Sequence, residues 1–478
     1  MAQSPRRGAR PSAFSSRSAR PCAVLVTLAF GLFHAQLGAV GITLTEVGAS
    51  GLGNAYAGAT AEAADAGVMF FNPAALTRFK RAEQVFSAIG IQSKAAFVDS
   101  AQGSNGYPAG EQRYERDPSY GFAPSNFLAI PVNEKLVLGF GVSGSAGLIL
   151  RYPNDYPGRF QSTSTDIKVS RVNGGFGYKV SPTLSVGANL SVERFFESIR
   201  VNVDYAKAAA AESGINGTLG SLLTNPLLNG LFFDGLGNSR SAGLKLKMYG
   251  TQVNAQVGAL FEPTENTRIG VSFRPKTRFD LEGSYRFQQE HPALLLAAAP
   301  QLLADGRVTS TITTPSELRM SIFHRVNSTF DVMADILRLD YSGIQAIEYR
   351  RTDGSVLKSY IQDLKVGHRY AVGVNHRVYK RLTLRYGYSY DEAISSDRYR
   401  VTALPDQARN NFNLGMQVQV APTDFLDFGV QYTLFKDAAI QDRAALQGTQ
   451  GEKSFDGDLN GTIKSSLLFF GLQYGGVF

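Results

Sequence analysis

Hydrolytic or metal chemistry in this chain would have to come from His291, His324, His368 and His376, the four histidines beyond residue 39. His368 and His376 stand at even spacing, so on one strand they share a face. No nucleophile elbow and no His-Glu-x-x-His pair accompanies them, and an isolated imidazole is not a Ser/His or Asp/His constellation. They are expected to be solvated or interfacial, with no enzymatic role. The one cysteine, Cys22, lies in the leader described below, so disulfides and thiolate metal sites are excluded and neither metal nor cofactor is expected. What remains is non-covalent chemistry. Leu219, Leu222, Leu223, Leu227, Leu228, Leu231, Phe232 and Phe233 crowd one stretch, and Leu294, Leu295, Leu296, Leu302 and Leu303 another, each inside a long polar connection. Apolar side chains concentrated on loops are costly to leave in water. A greasy capture groove between the two loops is expected, with Leu227, Leu228, Leu231, Phe232, Phe233, Leu294 and Leu295 as ligand contacts.

The elements that would position such a groove begin after an export signal. Arg6, Arg7, Arg10, Arg17 and Arg20 stand without an acid, the apolar run 23–37 follows, and Gly38 and Ala39 close it. That order of charge, apolar core and small residues is a secretory signal, here assigned to residues 1–39. Its removal lowers the net charge from +8 to +3, since five arginines leave and no acid does. The basic balance is therefore not a nucleic-acid signature, and no nucleic-acid motif accompanies it.

No later segment holds 18 uninterrupted apolar residues, which excludes helical spans and leaves a closed barrel as the way across a bilayer. Period-two patterning supports it. Leu184, Val186, Ala188, Leu190 and Val192 alternate with Ser185, Gly187, Asn189 and Ser191, and the stretches 249–261, 382–390 and 412–420 alternate similarly. Short turns are expected at 132–135, 180–183, 263–266, 326–329, 379–381 and 421–424, with longer loops between them. Strand starts are expected near Ala82, Tyr120, Lys135, Asp166, Leu184, Leu244, Arg268, Arg307, Phe330, Leu364, Leu382, Arg409, Phe425 and Gly461. Fourteen antiparallel strands with both ends on the short-turn side describe an all-β transmembrane barrel of the bacterial outer membrane. It occupies residues 81–478, with long outer loops at 204–243 and 288–306. Phe478, preceded at alternate positions by Tyr474, Leu472 and Phe470, makes a final strand of the kind that barrel-assembly machinery reads, and a monomer is expected.

Residues 48–76 fit neither the leader nor the strands. Their glycines and alanines suit close packing, and Asn72-Pro73-Ala74 marks an abrupt change of direction because proline cannot continue a helix or donate to a ladder. Residues 40–80 are therefore assigned as a plug inside the barrel, with Gly51, Gly53, Asn54, Asn72, Pro73 and Ala74 as its gating residues.

The order and spacing of Gly51-Leu52-Gly53-Asn54-Ala55-Tyr56-Ala57-Gly58, Asp65-Ala66-Gly67 and Asn72-Pro73-Ala74 resemble the N-terminal hatch of the FadL family of outer-membrane transporters. Arg385-Tyr386-Gly387-Tyr388-Ser389-Tyr390-Asp391, followed by Leu404-Pro405-Asp406-Gln407-Ala408-Arg409, resembles that family's eleventh strand, loop and twelfth strand. The resemblance implies uptake of long-chain fatty acids or similar hydrophobic compounds, with loop capture, hatch gating and sideways exit at a kink in the third strand. Gly144 and Gly147 are the expected kink, since glycine in a strand marks bulges and close approach. Arg200 lies near the family's carboxylate-binding arginine, whereas Glu348 stands where a second cation is expected, which leaves neutral aromatic or alkane hydrocarbons as an alternative cargo. A general porin or an adhesin is the alternative of another class, and the residues spent on a plug argue against an open pore.

Overall fold

The computed structural model describes residues 45–100, 112–204, 241–288, 304–442 and 459–478. The leader and the loop residues Leu227, Leu228, Leu231, Phe232, Phe233, Leu294 and Leu295 lie outside them.

Alternating apolar residues produce a ring of fourteen strands. They are β1 (Glu83–Asp99), β2 (Ser119–Pro131, preceded by the short Arg113–Glu115), β3 (Leu136–Arg151), β4 (Ser164–Lys179), β5 (Leu184–Asp204) and β6 (Ser241–Phe261). Next come β7 (Thr267–Arg274 and Thr277–Gln288), β8 (Gly306–Thr314 and Ser316–Arg325), β9 (Phe330–Asp340 and Ala346–Arg351) and β10 (Val356–Ile361 and Val366–Tyr379). The ring ends with β11 (Leu382–Asp391), β12 (Arg409–Gln419), β13 (Asp424–Phe435 and Ala438–Asp442) and β14 (Leu459–Val477). Each strand pairs antiparallel with its sequence neighbours. β14 returns to β1 in a ladder from Glu83↔Val477 to Asp99↔Gly461, which closes the ring. Each predicted start lies within three residues of the beginning of a segment of its strand.

The period-two pattern sorts side chains between lipid and lumen. On β5 and β6 the outward Leu190 and Val253 are 62% and 64% exposed, whereas the inward Asn189, Ser191, Asn254 and Gln256 are buried. No helix among the described residues is long and apolar enough to cross a membrane. Asparagines shape two of the predicted short turns: Asn133 Oδ1 accepts from the backbone N–H of Lys135 and Leu136, and Asn327 Oδ1 from those of Thr329 and Phe330, all at 2.8–2.9 Å.

Residues 45–79 lie in the lumen. Their only regular structure is α1 (Ala49–Gly53), α2 (Val68–Phe71) and a 3₁₀ turn at Pro73–Arg78, too little to satisfy their own backbone. The wall supplies the missing partners. Asn413 Nδ2 donates to Leu52 O (2.7 Å), Arg369 Nη2 to Ala55 O (2.9 Å), Arg268 Nε to Ala61 O (2.8 Å), Asn189 Nδ2 to Met69 O (3.1 Å) and Gln256 Nε2 to Phe71 O (2.7 Å). The backbone N–H of Ala49 donates to Ser87 Oγ and Gln473 Oε1, and that of Thr60 to Ser321 Oγ. Inward faces of all fourteen strands touch this segment.

Candidate functional site

Toward the long-loop end the inward faces change from polar to apolar. On β5 the inward series runs Asn189, Ser191 and Glu193, then Phe195, Glu197, Ile199 and Val201; β6 mirrors it with Gln256 and Asn254, then Met248, Leu246 and Leu244. The apolar halves join Phe279 and Leu281 of β7, Val308 and Ile312 of β8, and Tyr349 and Tyr360 in one buried cluster. Two connections fold over it. Tyr152 and Tyr156, after β3, stack at 4.8 Å, and Tyr152 Oη donates to the carbonyl of Thr402 in the β11–β12 connection at 3.2 Å. Tyr360 Oη donates to Gln161 O at 2.8 Å. In the β11–β12 connection Asp406 accepts from the backbone N–H groups of Ile394 and Ser395, and burial pushes its carboxyl above the usual range. Across the cluster, between non-neighbouring strands, Tyr349 Oη donates to Glu197 Oε1 at 3.1 Å. Glu197 Oε2 has no partner among the described residues.

Beneath this apolar cluster runs a belt of buried ion pairs. Arg171 Nε meets Glu193 at 2.8 Å, Arg274 reaches the same carboxylate at 3.7 Å and also pairs with Glu317, and Arg319 lies 3.7 Å from Asp335. Asp391 is shared between Arg369 at 3.0 Å and Arg409 at 2.6 Å. Charge so far from water persists only when paired. The belt also holds the top of the luminal segment, since the guanidinium of Arg171 sits 4.7 Å over the Phe70 ring and that of Arg319 5.0 Å over Phe71. Arg319 Nη1 and Arg274 Nε have no hydrogen-bond partner among the described residues.

The wall beside this floor is incomplete. Among the described residues β3 pairs with β2 only over residues 137–142 and with β4 along its whole length, so residues 143–151 have a described neighbour on one side alone. At that point the β3–β4 register skips from Gly144 to Ala146, leaving Ser145 as an extra residue. A bulge reverses which residues face inward. Ser143 faces inward before it, and Ala146, Leu148 and Leu150 join the apolar cluster after it. The side chains of Ser143, Ser145 and Asn173 are buried there without a partner among the described residues.

The predicted plug residues gather in the lumen. The Tyr56 ring covers Gly51 so closely that a Cβ there would lie 2.3 Å from Cδ1, and Gly53 faces the Cα of Gly415, 2.9 Å from where its own Cβ would stand. Asn54 Nδ2 donates to Glu62 at 2.9 Å. Asn72 Nδ2 donates to Thr60 O at 2.8 Å and Ala259 O at 2.9 Å, while its Oδ1 accepts from Ala74 N at 3.0 Å, so the Pro73 turn starts from a residue fastened to the wall. Gly144 and Gly147 flank the bulge. Arg200 lies on the outer face: period-two alternation turns Ile199 and Val201 into the apolar cluster and leaves Arg200 exposed. Three histidines have ordinary partners: His324 with Thr267, His368 with Glu392, and His376 stacked on Phe330. Sequence reasoning missed the ion-pair belt and the infolded Tyr152–Tyr156 connection. The inward arginines at alternate strand positions were a signal for the first; the second had none.

The chain's sequence and fold have relatives. It is 26% identical over 463 residues to outer membrane protein P1 of Haemophilus influenzae, covering 91% of this chain and 94% of that protein. It is 24% identical over 458 residues to the long-chain fatty acid transport protein of Salmonella typhi, covering 94% and 97%. In fold it is similar to a Pseudomonas aeruginosa FadL homologue (TM-score 0.78, 20% identity, 91% of this chain and 99% of that one). It is also similar to the P. putida toluene transporter TodX (TM-score 0.59, 15% identity, 85% and 92%). Members of this family are transport channels rather than enzymes. The family model for outer membrane transport proteins of the OMPP1/FadL/TodX type matches residues 32–478, and with a closed fourteen-stranded barrel of the outer membrane around an apolar cluster, the chain belongs to that family.

Proposed function

We propose that this protein takes up long-chain fatty acids or similarly hydrophobic compounds. Cargo enters between the loops carrying Leu227, Leu228, Leu231, Phe232, Phe233, Leu294 and Leu295, parts the side chains of the apolar cluster to form a chamber, and leaves sideways past β3 when residues 45–79, acting as a hatch, shift. The reading rests on one adjacency: the apolar cluster has the arginines that cover Phe70 and Phe71 of the luminal segment at its floor and the stretch of β3 with a described neighbour on one side alone at its side. Rearranging the floor would join chamber and gap. A carboxylate head group would find the free N–H groups of Arg319 and Arg274 at the floor, and Ser143, Ser145 and Asn173 beside the gap. Arg200, facing outward, has no part in this. In this reading residues 1–39 direct export, the strand ending in Phe478 is recognised by the assembly machinery, and the protein works as a monomer.

A neutral aromatic or alkane cargo is the second reading, and one feature favours it. Glu197 stands within the apolar cluster with Tyr349 as its partner and no cation paired with it among the described residues, so that level offers a carboxylate no counter-charge. Mass spectrometry of ligand extracted from the detergent-solubilised protein distinguishes the two. A long-chain acid supports the first reading, an alkane or aromatic the second, and a large steady ohmic conductance in planar bilayers would overturn both.

A further inference from the structure

Arg200 leads away from the lumen to a different surface. At the long-loop end of the barrel it stands directly opposite Lys245 of β6, and Lys245 opposite Arg286 of β7, so three cations form one row across three adjacent strands. Lys247, one outward position nearer the membrane on β6, adds a fourth. Directly opposed residues on an antiparallel ladder sit about 4.5–5.5 Å apart, Cα to Cα, and like charges so placed destabilise the sheet. The chain offers them little relief. Among the described residues none of Arg200, Lys245, Lys247 and Arg286 has an ion-pair partner. The nearest outward acids have other partners: Asp305, one step beyond the Gly306–Tyr285 pair and so facing Arg286, accepts from the backbone N–H of Phe287 at 2.9 Å, Asp166 pairs with Lys168 at 3.2 Å, and Glu282 with Arg307 at 3.7 Å. The inward carboxylates of the belt and Glu197 lie on the other side of the wall.

The surroundings say what neutralises the row. Descending the same outward faces, Phe196 and Tyr249 pack at 5.1 Å with the guanidinium of Arg194 5.4 Å from the Tyr249 ring, and below them Val192, Leu190, Val253 and Val257 form the exposed apolar band. Aromatic residues above such a band mark the membrane interface. Short turns lie at the far end of β5 and β6, so the cations project from the outer-facing end, above the interface and in line with lipid acyl chains. We propose that Arg200, Lys245, Lys247 and Arg286 bind the phosphate- and carboxylate-bearing saccharide head group of an outer-leaflet glycolipid, whose acyl chains lie on the apolar band beneath. Charge complementarity and continuity with the lipid-facing surface both select this occupant.

The test is native mass spectrometry of full-length protein purified from outer membranes, wild type beside a variant carrying Arg200→Ser, Lys245→Ser, Lys247→Ser and Arg286→Ser, each titrated with purified lipopolysaccharide. Heat-modifiable gel mobility confirms that the barrel is folded, and Lys247→Glu alone provides a milder perturbation of the same row. The expected result is a loss of glycolipid affinity of about ten-fold or more in the combined variant, since four basic residues facing the anionic head group are removed together. A smaller loss is expected for Lys247→Glu, and wild-type binding should weaken as salt rises. Equal binding by wild type and both variants overturns the proposal. So does displacement of glycolipid by millimolar inorganic phosphate, which would indicate an anion site without a lipid, or equal affinity for phosphatidylglycerol vesicles, which would indicate surface attraction without head-group recognition.

Discussion

Asn72 is the residue on which the luminal segment hangs. Its amide is fully buried and spans three backbone groups, two within the segment and one on β6, before Pro73 turns the chain. Replacement by alanine leaves those groups without partners, at a cost of about 1–3 kcal/mol for each buried group left unsatisfied. Asn72→Ala is expected to assemble into the membrane yet expose residues 45–79 to protease from the short-turn side, which limited proteolysis of outer-membrane preparations will check; protection equal to wild type would remove Asn72 from this role. Asp406 poses a titration question. Burial raises its folded pKa above that of an unfolded carboxyl, so the folded chain binds the proton more tightly. Its stabilising contribution is therefore complete below the ordinary carboxylate value of about 3.9 and is lost as pH rises through the raised folded value. Amide exchange in residues 392–408 should accelerate over that rising window in wild type and lose the dependence in Asp406→Asn, whose remaining carbonyl can still accept from Ile394 and Ser395.

Among the elements, β3 carries the mechanism proposed for exit. Its bulge at Ser145 coincides with the point where β2 stops pairing, and Gly144 and Gly147 bracket it. A β-branched residue favours the regular pleat and stiffens the chain against such an irregularity. Gly144→Val or Gly147→Val is expected to reduce cargo uptake several-fold while heat-modifiable mobility shows normal assembly. Uptake at the wild-type rate in both variants would remove this strand from the exit route. The luminal segment behaves in the opposite way to the strands: Ala55, Tyr56 and Ala63 hold positive φ of 51–57°, a conformation that costs non-glycine residues energy and persists only under external constraint. That constraint is the wall, together with the Tyr56 hydroxyl, which donates to Gly48 O at 2.6 Å.

For the whole molecule the decisive property is what fills the ring. A barrel of fourteen strands is wide enough to need filling. Here residues 45–79 occupy the lumen toward the short turns, and apolar side chains with the infolded connections occupy it toward the long loops. Reconstituted wild-type protein should show no large steady conductance in planar bilayers, and a variant lacking residues 45–79 should show one. Equal traces from the two would mean that the segment does not seal the lumen.

How much of this was legible follows from where the information resides. Strand number, order and boundaries were written in the sequence because each lipid-facing strand must alternate in character and each short turn needs its own residues; Leu184 to Val192 and Asn133 are sufficient illustrations. Close packing of residues 48–76 was also legible, from glycines with no room for a side chain, such as Gly53 against Gly415. Tertiary structure alone decided the face of Arg200, since one residue of register separates lumen from surface on a strand. It alone decided the belt, whose partners are brought together by neighbouring strands, and the Tyr349–Glu197 bond between strands that do not adjoin. A local pattern fixes a strand and its two faces, whereas which groups meet across a lumen depends on the closed ring, and no single stretch of chain contains that.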